Sequence, residues 1–567
     1  MGRSASLTAD VGTVAVRTVP PISTSRWMLR LFGAGFVGAF LWSWFSLDMS
    51  IISFFAGLGD VRNLLGRMFP PDFSNWSTIV NATFETLWMA VIGTFVSALV
   101  CVPLAFGAAS NTTPHAVVRY VCRGIISLTR AVPEIIFAAL FVVVLSIGPL
   151  PGILAIAIHS IGMIGKLFAD AIEQTQASPR EAITSVGARR LQTTVSSIVP
   201  QAMPSMIATA MYRLEINIRA SSVLGLVGAG GIGFVIQDSL RSLDYQAALA
   251  AVACIFVLIT AIELISAQVR QSLLGENTNV LANRRQSGYA KRKVARDTAR
   301  NERAIRARSL TPPWTSERIL RTSSAVVAGL MLIVAFLLVD MPLLGALPRY
   351  PDLILVLGDL FPPDFSTARD ELVKGMTESV QIAFVATGLG LFLSVPLGIL
   401  GARNIVVRRV IVLSTRVTLL LLRGIPELIV AVIFVSAMGL GPVPGTLALT
   451  LVTATFTSKL FADTLEEVDP SPREALVAVG ASRVQEFVAA VVPQALPGIV
   501  SQTLYILDVN LRSSTVLGIV GGGGIGFLLL GSLRVLEYQT TGAVVLSIFV
   551  IVYFIELVGS VVRRLLR

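Results

Sequence analysis

The stretch LGLVGAGGIGF, Leu224 to Phe234, decides between two folds. Gly228, Gly230 and Gly233 spell G-x-G-x-x-G, which cradles a dinucleotide only where it joins a strand to a helix in a parallel sheet. The surrounding chain reads otherwise. Of its 567 residues, 54% are hydrophobic and 14% charged, where a soluble domain carries roughly 25% charged residues. Mean hydropathy is +0.77. Apolar runs near the length of a spanning helix, about 20 residues, recur throughout. The reading is an all-α polytopic membrane protein, with the glycines in a tight turn between helices.

The chain is also written twice. KLFAD stands at Lys166 and Lys459, PREA at Pro179 and Pro472, VPQA at Val199 and Val492, and GGIGF closes at Phe234 and Phe527, a constant offset of 293. FPPDFS begins at Phe69 and Phe361, one residue off that register. Equivalent loops must face the same side of the membrane, so each repeat holds an even number of spans and the repeats are parallel. Hydropathy places six spans in each: 30–47, 80–108, 120–147, 152–172, 196–223 and 246–270, then 322–340, 374–401, 412–439, 445–465, 489–516 and 541–562. This gives about 12 transmembrane helices. The expected organisation is a cytoplasmic tail over 1–29, a first repeat over 30–272, a basic cytoplasmic linker over 273–321 and a second repeat over 322–567. Both glycine clusters, Gly228, Gly230, Gly231 and Gly233 with Gly521, Gly523, Gly524 and Gly526, then lie in outward-facing turns.

A net charge of +11 would suggest nucleic acid in a soluble protein. Here the basic residues crowd between Asn283 and Arg321, which the positive-inside rule places in the cytoplasm beside anionic membrane lipid, with no nucleic-acid partner. Both termini are expected there too, with an uncleaved first span. Cys101, Cys122 and Cys254 sit in apolar runs, and His115 and His159 have no metal-ligand neighbours in sequence, so no metal site is expected. G-x-x-x-x-G-K-[ST] is absent, so nothing in this chain is predicted to hydrolyse ATP.

The most informative loop reads ASPREAITSVGARRLQTTVSSIVPQAMP from Ala177 and PSPREALVAVGASRVQEFVAAVVPQALP from Pro470. Ser178 with Glu181, and Ser471 with Glu474, have capping-box spacing, with Pro179 and Pro472 at the first helical position. A short helix is predicted in each, with Gly187 and Gly480 giving a bare patch where another backbone can approach. The pattern resembles the EAA loop of ABC importer permeases. Glu181, Ala182, Gly187 and Pro200 match it, as do Glu474, Ala475, Gly480 and Pro493; Ile183, Leu476, Ser197 and Ala490 depart from it. The resemblance implies a type I importer permease fold whose short helices, including Ser178 and Ser471, dock on separate ATPase subunits. Two loops imply two such subunits, with ATP and Mg bound there and no cofactor on this chain.

Across nearly all of both repeats the chain is similar to phosphonate-type permeases, through FPPDFS, RAVPE at Arg130, RGIPE at Arg423, NIRASSVLGLVGAGGIGF from Asn217, NLRSSTVLGIVGGGGIGF from Asn510 and LDYQ or LEYQ before the last span. Most such permeases carry one unit and pair two chains; this one looks like the pair fused in one. The resemblance implies a bacterial inner-membrane importer of phosphonate, phosphite or phosphate, fed by a substrate-binding protein and working by alternating access. Methionine- or betaine-type permeases are the nearer alternative, and a secondary transporter the further one.

Ionisable groups within spans mark the candidate path: Arg130, Glu134, Asn217 and Arg219, with Arg423, Glu427, Asn510 and Arg512. Arg130 and Glu134, four apart about Pro133, either neutralise each other or face a passing anion, which a guanidinium fork suits. Arg219 and Arg512 either line a gate or pair with Glu215 or Asp508. Lys166 with Asp170, and Lys459 with Asp463, are read as i,i+4 pairs bracing the coupling loop. His159 aligns with Val452 and reads as a packed or polar-paired residue.

Overall fold

The computed structural model describes residues 24–274, 322, 329–338, 350–406 and 408–566. Every regular element among them is helical. The first repeat runs α1 (Thr24–Ser46), α2 (Ile51–Met68), α3 (Trp76–Ala108), α4 (Ala116–Ala131), α5 (Glu134–Leu145), α6 (Pro149–Glu173), α7 (Ala177–Ser185), α8 (Val199–Leu224), α9 (Ile232–Arg241) and α10 (Tyr245–Leu274). The second repeats it as α11 (Gly329–Leu338), α12 (Tyr350–Asp359), α13 (Arg369–Gly401), α14 (Arg409–Arg423), α15 (Glu427–Met438), α16 (Pro442–Glu466), α17 (Ser471–Ala478), α18 (Val492–Leu517), α19 (Gly526–Arg534) and α20 (Tyr538–Leu566).

Among the described residues seven helices are long and apolar enough to cross a bilayer, and ten spans result if each bent pair counts as one. The other two expected spans begin the repeats; of 322–340, only 322 and Gly329–Leu338 are described. The tail before residue 24 and most of the linker lie outside the described residues. Helices α2, α9, α12 and α19 were not separate in the hydropathy pattern.

Proline decides the largest departure. The expected third spans are not single helices: α4 and α5 meet at 83°, α14 and α15 at 79°. Pro133 (φ −57, ψ 142) and Pro426 (φ −59, ψ 140) are extended, as is Val132 ahead of Pro133, because a proline ring bars the helical conformation from its predecessor. Arg130 and Glu134 therefore stand on two differently directed helices, not four apart on one, and so do Arg423 and Glu427. Short π turns at Thr194–Ile198 and Phe487–Val491 precede Pro200 and Pro493, where the missing N–H interrupts the ladder.

The predicted capping boxes do not form. Helix α7 begins at Ala177, so Ser178 already has helical backbone, whereas a cap must lie outside it. Gln201 Oε1 instead takes the Gln176 N–H at 3.0 Å. At α17, Ser471 donates where it was expected to accept: its N–H and hydroxyl go to Asp469 Oδ1 at 2.9 and 2.8 Å.

Within each repeat, one amide ties three spans. Asn217 Nδ2 donates to Thr94 Oγ1 at 2.8 Å and to Ser160 Oγ at 3.0 Å, joining α8 to α3 and α6. Asn510 Nδ2 donates to Thr387 Oγ1 at 2.9 Å and its oxygen accepts from Thr453 Oγ1 at 2.9 Å. Such ties and small residues at close approaches hold helices together where lipid is as apolar as leucine.

The repeats interlock. Phe36 packs on Phe384, and Gln381 Nε2 donates to Ser46 Oγ at 2.8 Å, placing α1 of the first repeat on α13 of the second. Gly57 of α2 faces Met438 of α15. One apolar core runs through both repeats.

Candidate functional site

Between the repeats lie two cavities of about 340 and about 680 Å³. The smaller, towards the glycine-turn ends of α8 and α18, is lined by Glu134, Arg219, Arg423, Glu427 and Asn510 among others. The larger, towards the α7 end of α6, is lined by Arg130, Lys166, Asp170 and Asp508 among others. His159, Arg213, Tyr505 and Arg512 line both.

Seven of the eight candidate path residues face one cavity or both. Asn217 does not: it is fully buried in its helix tie. Of the alternatives read for Arg130 and Glu134, mutual neutralisation is not the contact that Glu134 makes. Glu134 Oε2 meets His159 Nε2 at 3.1 Å, and His159 Nδ1 lies 3.0 Å from the Val132 carbonyl. His159 is thus polar-paired, beside the bend that Pro133 makes. Glu427 Oε1 accepts from Ser513 Oγ at 2.9 Å. Arg423 crosses to the first repeat, Nη2 meeting Glu263 Oε1 at 2.6 Å.

Glu263 also holds Arg219 at 3.2 Å, and Glu215 stands 3.7 Å from the same guanidinium. Arg512 meets Asp508 at 3.3 Å. These arginines are therefore ion-paired and cavity-lining at once. The Nε–H groups of Arg219, Arg423 and Arg512 are buried without an acceptor in the structure. A buried donor left unmatched costs free energy, so these three guanidinium groups are under-satisfied where they stand.

Sequence reasoning missed Arg213, Ser513 and the bridging part of Glu263. The signal for Arg213 was present: it is an arginine in an apolar span whose repeat counterpart is Ile506.

The two loops of EAA-like sequence stand out from the body. Ser178, Glu181, Ala182 and Gly187 are exposed, as are Ser471, Glu474, Ala475 and Gly480, and neither α7 nor α17 buries a residue. Gly187 (φ 85) and Gly480 (φ 84) end the helices in the left-handed region. Around them Val186, Leu191 and Val195, and again Val479, Val484 and Val488, expose apolar side chains in the same register. The brace beneath is not the lysine–aspartate pair expected. Lys166 and Asp170 face the larger cavity, and Lys459 and Asp463 a third cleft. Arg123 with Glu173 (2.8 Å) and Arg416 with Glu466 (2.6 Å) tie α4 to α6 and α14 to α16.

The glycine turns are closely packed, with no room for a ligand phosphate. Gly228, Gly230, Gly231, Gly521, Gly523 and Gly524 all have positive φ. A Cβ on Gly233 would lie 2.0 Å from the Ser222 carbonyl oxygen, and one on Gly526 2.3 Å from that of Thr515. The turns close on α3 and α13: Ile232 N–H donates to Thr86 Oγ1 at 2.8 Å and Ile525 N–H to Ser379 Oγ at 2.9 Å. Among the described residues no group of three or more His, Cys, Asp or Glu could hold a metal ion.

Comparison with known proteins places this architecture. The family model of the binding-protein-dependent transport system inner membrane component matches twice, over residues 101–274 and 394–567. The phosphate-import permease protein PhnE of Mycolicibacterium smegmatis is 42% identical over 519 residues, covering 91% of each chain. The phosphite transport system permease protein PtxC of Stutzerimonas stutzeri is 36% identical over 262 residues, 44% of this chain and 95% of its own. A probable D-methionine transport system permease protein MetI of Haemophilus influenzae is 28% identical over 33% of this chain and 93% of its own. The chain belongs to the binding-protein-dependent permease family, as a multi-pass membrane transport subunit with two permease units fused.

Proposed function

From that membership we propose that the chain carries a phosphorus oxyanion, phosphonate, phosphite or phosphate, inward across a bacterial cytoplasmic membrane. The observation that carries this is the cavity between the repeats, which Arg219, Arg423 and Arg512 line. Guanidinium forks match tetrahedral oxyanions, and partial pairing to Glu263 and Asp508 keeps the attraction weak enough for release. The names of the relatives at 42% and 36% identity, phosphate and phosphite permeases, support the same class.

The transport cycle in this reading is alternating access. A substrate-binding protein delivers the anion to the outer face. ATP, held with Mg on two separate ATPase subunits docked at α7 and α17, draws those helices together and opens the path outward. Hydrolysis returns it inward. The termini and the basic linker lie on the cytoplasmic side, the linker against anionic lipid. Both EAA-type surfaces belong to one chain, so one permease chain suffices for two ATPases.

The test is ATPase activity of the chain reconstituted with its ATPase and binding protein, titrated with 2-aminoethylphosphonate, phosphite, phosphate and methionine. The expected result is stimulation by a phosphorus oxyanion, abolished in the Glu181→Arg, Glu474→Arg variant. Stimulation by methionine alone overturns the substrate class; failure of any ATPase to associate overturns the coupling.

A further inference from the structure

Two repeats with the same helices do not build the same path. At the wall shared by the two cavities, the first repeat supplies His159 and Arg213; the equivalent positions in the second are Val452 and Ile506. The buried glutamates are accordingly satisfied in different ways. Glu134 is met by His159, whereas Glu427 is met by Ser513, whose counterpart in the first repeat is Ala220.

Arg213 is the unusual member. It is 4% exposed, yet among the described residues no carboxylate oxygen lies within 4.0 Å of it. Its Nε donates to Ser160 Oγ at 3.0 Å and its Nη1 points at Met163 Sδ at 3.2 Å, a weak acceptor. Ser160 is in turn fixed by Asn217, so the guanidinium is oriented by the tie that joins α3, α6 and α8. A charge so buried calls for an opposite charge, and among the described residues no carboxylate is in contact with it. The two cavities that it borders are where such a charge can come from.

We infer that Arg213 is the binding station of the path, contributed by the first repeat alone: its free guanidinium edge takes an oxygen pair of a phosphorus oxyanion crossing from the smaller cavity to the larger, with Arg512 of the second repeat on the same wall. This rests on the proposed oxyanion function and adds that the repeats are unequal in it. Glu134, held by His159 beside the station, limits its net positive charge, so the anion is held briefly. A path with two equivalent stations would have had arginine at residue 506 as well.

The protein itself supplies the control variant. His159→Val, Arg213→Ile and Ala220→Ser together rewrite the first repeat as the second is written, with serine to satisfy Glu134 as Ser513 satisfies Glu427. Uptake of inorganic phosphate and of methylphosphonate is measured in proteoliposomes holding the full chain with its ATPase and binding protein. Co-purification with the ATPase reports assembly. The expected result is an assembled triple variant whose uptake of both anions falls by about tenfold or more, as loss of charge-assisted hydrogen bonds requires. Arg213→Lys, which keeps the charge and loses the planar fork, should raise KM and change the phosphate to methylphosphonate ratio. Uptake within twofold of the parent, with the ratio unchanged, in an assembled triple variant overturns the station. Should the triple variant not assemble, the same outcome in Arg213→Lys overturns it. Should the parent carry neither anion, the oxyanion function fails and the station with it.

Discussion

Glu263 carries more than its sequence position suggests. Near the inner end of an apolar span it resembles a snorkelling group, yet its two oxygens hold Arg219 of its own repeat and Arg423 of the other. Removing one partner of a buried pair leaves an uncompensated charge, which costs about 3–5 kcal/mol. Here Arg423, 16% exposed, would lose its carboxylate, and Arg219 would be left with Glu215 alone at 3.7 Å. Glu263→Gln is therefore expected to lower the thermal unfolding midpoint in detergent markedly. Breaking Arg123–Glu173, whose arginine side chain is 51% exposed, should cost about 1 kcal/mol or less. Equal shifts in the two variants would contradict this ordering. The same residues show what single positions can hide: Arg130 and Glu134 spell an i,i+4 pair, and only the fixed φ of Pro133 separates them onto two helices.

At the scale of the element, glycines that share a motif differ in what they do. Gly233 has no room for a methyl group, with the Ser222 carbonyl oxygen 2.0 Å from where a Cβ would stand. Gly187 has open space and a φ of 85. Gly233→Ala is expected to abolish recovery of folded protein. Gly187→Ala should fold and lose about 1–2 kcal/mol of coupling-loop stability, the ordinary cost of the left-handed region, read as faster amide exchange confined to α7. Helix α17 has a charge-based anchor. The Ser471 N–H, and then its hydroxyl, hold the Asp469 carboxyl below the usual aspartate range. A depressed folded pKa stabilises at every pH above the ordinary value and fades as pH falls through the folded one. Protection of the Ser471 amide should thus be flat between pH 5 and 8 and be lost in Asp469→Ala at all of them.

For the whole molecule, the interlocking of the repeats is the main constraint. Helix α1 packs on α13, α2 on α15, and Glu263 of α10 reaches Arg423 of α14. One repeat alone exposes the faces that the other covers, so a chain cut within the 273–321 linker should give a functional complex only when both parts are co-expressed. Either part alone should fail to bind ATPase, as co-purification would show. Recovery of a stable single repeat would mean that the contacts between repeats are dispensable.

Composition, the offset of 293 and the twin coupling loops were sufficient, from the sequence, for the membrane class, the duplication and the permease resemblance. These are properties of periodicity and local spacing, which a chain carries whatever its fold. The capping boxes were not legible in the same way, because where a helix starts depends on neighbours such as Gln201 that arrive from elsewhere in the chain. Partners across the cavities were still less so. His159 with Glu134, Ser513 with Glu427 and Arg423 with Glu263 are joined by helix packing across 25, 86 and 160 residues of chain. An arginine in a span announces only that it needs a partner; which partner it finds, and whether a solute must supply the rest, is decided where the helices of two repeats meet.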